Sequence, residues 1–253
     1  MRRPYIYHRA NSRAARCAMT TAKSQPVFPA MPAGPAFVRI PDPPERYPDD
    51  MTSFIHLSKT GSVAYLIDHF GNPDTTVIGG ELYLQLELHT PQSERRVPDL
   101  YIAFDVDAAA YYARNAYIIT EQGKPPDFVL EIASPTTADQ DVGAKRDDYE
   151  SWGVTEYWRF DRTGEHHGER LAGDRLVDGR YQPIDIARVS SEEWQGYSAV
   201  LDLYLAWNEG QLLWIDPATA SPITTLADER AARQRAEARV QELEAELRRL
   251  RAP

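Results

Sequence analysis

Phe128-Val129-Leu130-Glu131-Ile132-Ala133 is an apolar run with one carboxylate in its middle. Such a continuously apolar stretch reads as a central strand buried on both faces. Glu131 is therefore the anomaly of the run, because a carboxylate is costly to bury without a partner or a metal. Upstream, Asp99 sits in Val97-Pro98-Asp99 at the head of a second apolar run, Leu100–Val106. Downstream, residues 137 to 152 read as a helix, with Thr137 as N-cap, Gln140 at the capping-box position and Gly153 at the left-handed C-terminal position. Asp141, Lys145, Tyr149 and Trp152 then share one stripe at helical spacing. Glu156–Phe160 returns as a strand.

Working outward, Gly61–Phe70 has Val63, Leu66, Ile67 and Phe70 at three- and four-residue steps, an amphipathic helix stopped by Gly71-Asn72-Pro73. Thr75–Ile78 reads as a strand. So does Glu81–Leu88, in which Leu82, Leu84, Leu86 and Leu88 alternate with polar residues or tyrosine. Beyond Asp161 the chain reads as hairpins, with turn signals at Asp178-Gly179 and at Asn208-Glu209-Gly210. Residues 226–251 read as a charged helix whose Val240, Leu243, Leu247 and Leu250 form a short coiled-coil seam. Arg233 and Ala236 interrupt that seam upstream, and an isolated helix of this length is marginal without a partner. A homodimer through residues 226–251 is one expectation and a solvated helical tail the other.

Composition narrows the class. The 253 residues carry 42% hydrophobic residues and one cysteine, Cys17, so a core is available but a disulfide framework or a cysteine zinc site within one chain is not. A reducing, cytoplasmic compartment fits that usage. No apolar run approaches the roughly 20 residues of a membrane-spanning helix, so no membrane association is expected. Charge is unevenly placed. Residues 1–50 hold eight Lys/Arg against four Asp/Glu, residues 51–223 thirteen against twenty-eight, and residues 224–253 seven against six. The acidic centre argues against nonspecific wrapping of nucleic acid, which needs many cation–phosphate contacts, but is compatible with a site that holds a metal. Residues 1–50 have no persistent helical or strand period and read as a disordered tail, or as the product of a start codon placed upstream of Met51. An Arg-rich, acid-poor start is also the composition of a transit peptide. The division expected is thus residues 1–50 as tail, 51–223 as the main domain and 224–253 as the charged helix.

The residue types suit one chemistry. Phosphodiester hydrolysis needs an activated water, neutralisation of charge at phosphorus and a stabilised leaving oxygen. Carboxylates meet the first two needs by holding Mg²⁺, a hard ion that prefers oxygen ligands, and an ammonium group meets the third or orients the water. Asp99, Glu131 and Lys145 supply these groups, and the carbonyl of Ile132 is a further oxygen. Each has a plainer reading beside this one. Asp99 is an acid after proline at a strand start, where turn and cap residues are common. For Glu131, the sharper signal, the plainer reading is a structural ion pair with Lys145, and for Lys145 an exposed pair with Asp141, worth only a few tenths of a kcal/mol. Tyr149 and Trp152 suit core packing. His166-His167 are neighbours that point apart, so joint metal binding is not expected. Ser134-Pro135 lacks the glycines of a nucleophile elbow, and Gly79-Gly80 lacks the Lys-Ser/Thr of a phosphate loop.

Pro98-Asp99, Pro126–Ser134, Thr137, Asp141, Lys145, Tyr149, Gly153-Val154, Glu156-Tyr157-Trp158 and Asp161 together resemble, in order and spacing, the Uma-two family of restriction endonucleases within the PD-(D/E)XK nuclease superfamily. The resemblance covers roughly residues 60 to 225. It implies an α/β fold, a restriction-endonuclease-like mixed sheet flanked by helices with the carboxylates on adjacent strands, here with added C-terminal β-hairpins and a terminal helix. It also implies Mg²⁺-dependent (or Mn²⁺-dependent) DNA cleavage, with Asp99 and Glu131 as metal ligands. The superfamily's lysine lies two residues after the acid, where this chain has Ala133, so the resemblance moves that role to Lys145. Glu81, Asp141 and Tyr149 are supporting candidates. A non-catalytic module that keeps the nuclease fold and acts by binding is the competing expectation.

Overall fold

A computed structural model describes residues 38–44, 57 and 62–251. Most of the stretch read as a tail lies outside the described residues, as does Met51. Residues 38–44 are described and fixed. Ile40 is buried, its N–H donates to the carbonyl of Arg114 at 2.9 Å, and Asn115 donates to Ile40 O and Asp42 Oδ1.

Helix α1 (Ser62–Phe70) precedes strands β1 (Thr76–Gly79), β2 (Tyr83–Gln85) and β3 (Leu100–Phe104). Helix α2 (Ala108–Arg114), strand β4 (Ala116–Ile118) and the short helix α3 (Ile119–Gln122) lead into β5 (Phe128–Ile132). Then follow α4 (Ala138–Val142), α5 (Ala144–Trp152) and β6 (Glu156–Phe160). The C-terminal strands are β7 (Leu171–Val177), β8 (Arg180–Pro183), β9 (Ile186–Arg188), β10 (Glu193–Ser198), β11 (Leu203–Asn208), β12 (Gln211–Asp216) and β13 (Ser221–Pro222), before helix α6 (Leu226–Arg251).

The main sheet is mixed, in the order β1-β3-β5-β6-β7-β8. Only β5 and β6 run parallel, joined by the α4–α5 crossover; the other pairs are antiparallel. A second, antiparallel sheet of hairpins runs β13-β12-β11-β10-β9, and β2 pairs β4 in parallel apart from both. The α/β expectation therefore holds, with the hairpin sheet and terminal helix in place.

Strand alternation sorts the core into two faces. Leu100, Ile102, Phe128, Leu130, Ile132, Trp158 and Phe160 join Leu203, Leu205, Trp207 and Trp214 of the second sheet in one cluster. Tyr101, Ala103, Val129 and Tyr157 join Tyr111 of α2 and Tyr149 of α5 in the other. The continuous apolarity of β3 and β5 is thus the signature of burial on both sides. Glu131 falls by parity on the same face as Val129, toward α5.

The two sheets approach closely at Trp158. A Cβ on Gly173 of β7 would stand 2.9 Å from that indole, and one on Gly196 of β10 would stand 2.8 Å from it and 2.4 Å from Ile186. Gly196→Ala is expected to overpack this seam and lower unfolding stability by about 1–3 kcal/mol, read by chemical denaturation; an unchanged midpoint would mean the sheets can part at no cost.

Four local expectations are revised. The strand expected over Glu81–Leu88 is only Tyr83–Gln85. Both Tyr83 and Gln85 are buried beside Leu84, so the alternation does not mark an inner and an outer face. The Gln85 amide donates to the carbonyls of Glu87 and Leu88, bending the chain where the pattern continued. The single helix over 137–152 is broken at Gly143, whose φ −115, ψ −102 is not helical. Thr137 takes the N-cap position of α4, but its side chain makes no capping bond. Strand β3 ends at Phe104 because Asp105 turns left-handed, with φ 56. Both turn signals are realised: Asp178-Gly179 and Glu209-Gly210 have positive φ throughout, as two-residue hairpin loops require.

Candidate active site

The β3–β5 register brings the carboxylates together. Leu100 pairs with Leu130 in antiparallel register, so Asp99, one step before the strand, stands opposite Glu131. Asp99 Oδ2 accepts a 2.8 Å hydrogen bond from the N–H of Ile132, which ties the acid to the residue whose carbonyl is the candidate backbone ligand.

The break at Gly143 brings in the third acid. Asp141, next to last in α4, is fully buried, while Val142 at its end is exposed. Lys145, in the first turn of α5, places Nζ 2.9 Å from Glu131 Oε2 and 2.7 Å from Asp141 Oδ1, with side-chain exposures of 6% for Lys145 and 0% for both acids. The surface pair considered for Lys145 and Asp141 is thus a buried bridge between two acids. Burial pushes the Lys145 ammonium down, but Glu131, Asp141 and Asp99 outweigh it and hold the group above the ordinary lysine value.

Tyrosines close the inner side. Tyr149 OH donates to Glu131 Oε1 at 2.7 Å, and Tyr157 OH to the carbonyl of Asp141 at 2.7 Å. Burial, then the nearby Glu131, raises both phenols, so they act as fixed donors. Tyr149, which by pattern suited core packing, both packs and orients Glu131. Glu81 has its N–H on the carbonyl of Pro98 at 3.0 Å, beside Asp99, with a left-handed φ of 55.

One residue of the site was not legible in the sequence. His167 Nε2 lies 3.1 Å from Asp141 Oδ2, and its side chain is 1% exposed. Its neighbour His166 is exposed, so the two do point apart as expected. His167 arrives on the arm after β6, folded by Asp161, whose carboxylate accepts from the N–H groups of Thr163, His166 and His167 at 3.0, 2.7 and 2.8 Å. Burial acts to raise the Asp161 carboxyl, but these backbone donors outweigh it and hold it below the usual range. The only trace in the sequence is Asp161-Arg162-Thr163-Gly164, a turn signal that says nothing of where the arm lands.

The donor set bears on metal binding. Three buried carboxyl groups, Asp99, Glu131 and Asp141, share a nearly closed site with two basic side chains, Lys145 and His167. All the acidic donors are oxygens. Among the described residues no cluster of three or more His, Cys, Asp or Glu side chains has the spacing to hold a metal alone. Mg²⁺ does not need one, since it keeps several waters and takes one or two carboxylates. The residues present fit such an ion.

The Uma2 family, described as "Putative restriction endonuclease", matches residues 47–208. The chain belongs to this family. The family assignment points to a nuclease and bears out the expected resemblance. Asp99, Glu131, Asp141, Lys145 and His167 all lie within the matched span, and α6 lies beyond it. A comparison with curated proteins gives no significant match.

Proposed function

We propose that the chain is a metal-dependent endonuclease that hydrolyses DNA phosphodiester bonds, with Asp99 and Glu131 holding Mg²⁺ or Mn²⁺. The carbonyl of Ile132 is the third protein ligand in this reading. The observation that carries it is the gathering of three buried carboxyl groups, Asp99, Glu131 and Asp141, around one lysine, an oxygen-rich set that a divalent cation would suit. When bound, the ion polarises the phosphate and lowers the pKa of its water. The chain's own groups do the rest. Tyr149 fixes one oxygen of Glu131, so the other keeps a set direction. Lys145 has three donor hydrogens, two of them directed at Glu131 and Asp141. The third is the one to meet a phosphate oxygen and steady the charge that develops there.

A non-catalytic binding module is the second reading, favoured by the enclosure of the acids and by their bonding to one another. The deciding experiment incubates the full chain with plasmid, single-stranded and branched DNA, and with RNA, in Mg²⁺ or Mn²⁺, alongside calorimetric metal titration. Metal-dependent cleavage of DNA supports the nuclease. No cleavage of any substrate and no metal binding supports the module.

Helix α6 is proposed to join two copies of the chain, an arrangement that suits cutting of both strands. Val240 and Leu243 of its seam are 55% and 42% exposed, whereas the Leu247 and Leu250 side chains lie outside the described residues. Among the described residues no helix is long and apolar enough to cross a membrane. Deleting residues 226–253 is expected to halve the mass measured by light scattering; an unchanged oligomer would reject the contact.

A further inference from the structure

We propose that His167 is a positioning residue that sets Lys145 through Asp141, an inference that rests on the nuclease reading for its catalytic consequence. The contacts form one chain: His167 Nε2 to Asp141 Oδ2 at 3.1 Å, Asp141 Oδ1 to Lys145 Nζ at 2.7 Å, and Lys145 Nζ to Glu131 Oε2 at 2.9 Å. An ionised carboxylate offers no hydrogen, so the first link places a proton on Nε2. A carboxylate held on one oxygen by an ammonium and on the other by an imidazole N–H cannot swing about its Cβ–Cγ bond. Thr137 Oγ1, at 3.4 Å from Asp141 Oδ2, is too distant to do this alone. Without His167, Asp141 is free to turn, and Lys145 follows one acid or the other instead of standing between them.

The arm is built to hold still. Segments that open in function have few buried contacts and exposed backbone hydrogen bonds. Here Asp161 gathers three backbone N–H groups and the Thr163 hydroxyl. Trp207 Nε1 lies 3.0 Å from the carbonyls of both Asp161 and Arg162, tying the root of the arm to β11. The residues around His167 on the arm are largely exposed, and its side chain is the one driven inward. That combination suits a fixed strut better than a gate.

The test compares His167→Gln with His167→Asn in the full chain. The glutamine amide reaches about as far as the ring Nε2 and can restore the donor to Asp141; the asparagine amide is one carbon too short. Both keep a polar side chain, so a general cost of substitution appears in both. Measured are kcat and KM for metal-dependent cleavage, Mg²⁺ affinity by calorimetry, and the ¹⁵N resonance of the Lys145 side chain. The asparagine variant is expected to lose about 10- to 100-fold in kcat with KM and Mg²⁺ affinity unchanged and the Lys145 signal shifted, while the glutamine variant stays near wild type in all four. Equal losses in both variants, or an unmoved Lys145 resonance in the asparagine variant, would overturn the proposal. Raised turnover in the asparagine variant would overturn it too and make the arm an obstacle to substrate. Should the wild type cleave nothing, the nuclease reading falls, and the Lys145 resonance alone decides whether His167 positions it.

Discussion

Glu131→Gln is expected to cut metal-dependent cleavage sharply while leaving a folded protein. Glutamine keeps the shape of the side chain, and its carbonyl oxygen can still accept from Tyr149 OH, which is 2.7 Å from Glu131 Oε1. Its amide then faces the Lys145 ammonium, donor against donor, where Oε2 stood at 2.9 Å. That mismatch costs about 1–3 kcal/mol, which a thermal melt reads directly. The catalytic loss is larger. Removing a metal ligand and its charge is expected to lower kcat/KM on the order of 1000-fold, or ~4 kcal/mol of transition-state stabilisation. Glu131→Ala is the poorer test, because it strips Tyr149 and Lys145 of a partner together and approaches the about 3–5 kcal/mol of a broken buried pair. Asp99→Asn belongs in the same experiment, since its amide oxygen can still accept from Ile132 N–H, as Asp99 Oδ2 does. Wild-type cleavage rates in Glu131→Gln and Asp99→Asn would sink the proposed site.

What could be read before the structure follows from which forces act locally. The ends of β5 and β6 were legible to within a residue because two-sided burial makes an unbroken apolar run, and turn chemistry marks where it stops. The bounds of α6 follow from its charge pattern. The ion pair of Glu131 with Lys145 was legible as chemistry, since a carboxylate within Val-Leu-Glu-Ile-Ala demands a partner. The break at Gly143 was not. The stripe of Asp141, Lys145 and Tyr149 continues through it, and a glycine inside a helix costs only about 1 kcal/mol relative to alanine, so the pattern alone cannot tell a tolerated glycine from a hinge. Yet that break buries Asp141 and turns an apparent surface pair into the centre of the site. His167 lay further from reach. Its place depends on Asp161 folding an arm and on β7 carrying the chain back, both non-local, and a histidine pair whose side chains point apart carries no spacing signature of its own. Strands β9 and β10 were missed for a related reason. Gly196 and the exposed faces of these strands weaken the alternation that would announce them.

Lys145→Met is expected to give the largest loss of stability, and the loss should be partly reversed by Mg²⁺. Methionine fills much of the lysine stem's volume but leaves Asp99, Glu131 and Asp141 buried without an ammonium. Breaking buried pairs in this way costs about 3–5 kcal/mol, a fall in Tm on the order of 10 °C for a domain of this size. The pH dependence has a definite sign. The folded-state pKa of Lys145 is raised, so its contribution is fully present below the ordinary lysine pKa of about 10.4 and is lost only as pH rises through the higher folded value. The gap between wild type and variant should therefore be constant through neutral pH and close only in strongly alkaline solution. A divalent ion supplies the missing positive charge by another route. At about 100 times its Kd a ligand that binds only the folded state adds roughly 2.7 kcal/mol, and the variant, with no ammonium competing for Glu131, should gain more from Mg²⁺ than the wild type does. Melts in Mg²⁺, against NaCl of matched ionic strength, separate binding from screening. A variant as stable as wild type without metal would show that the buried charge is not what Lys145 balances. A Mg²⁺ shift no larger than that of matched NaCl would remove the ion from the site, whatever the cleavage assay returns.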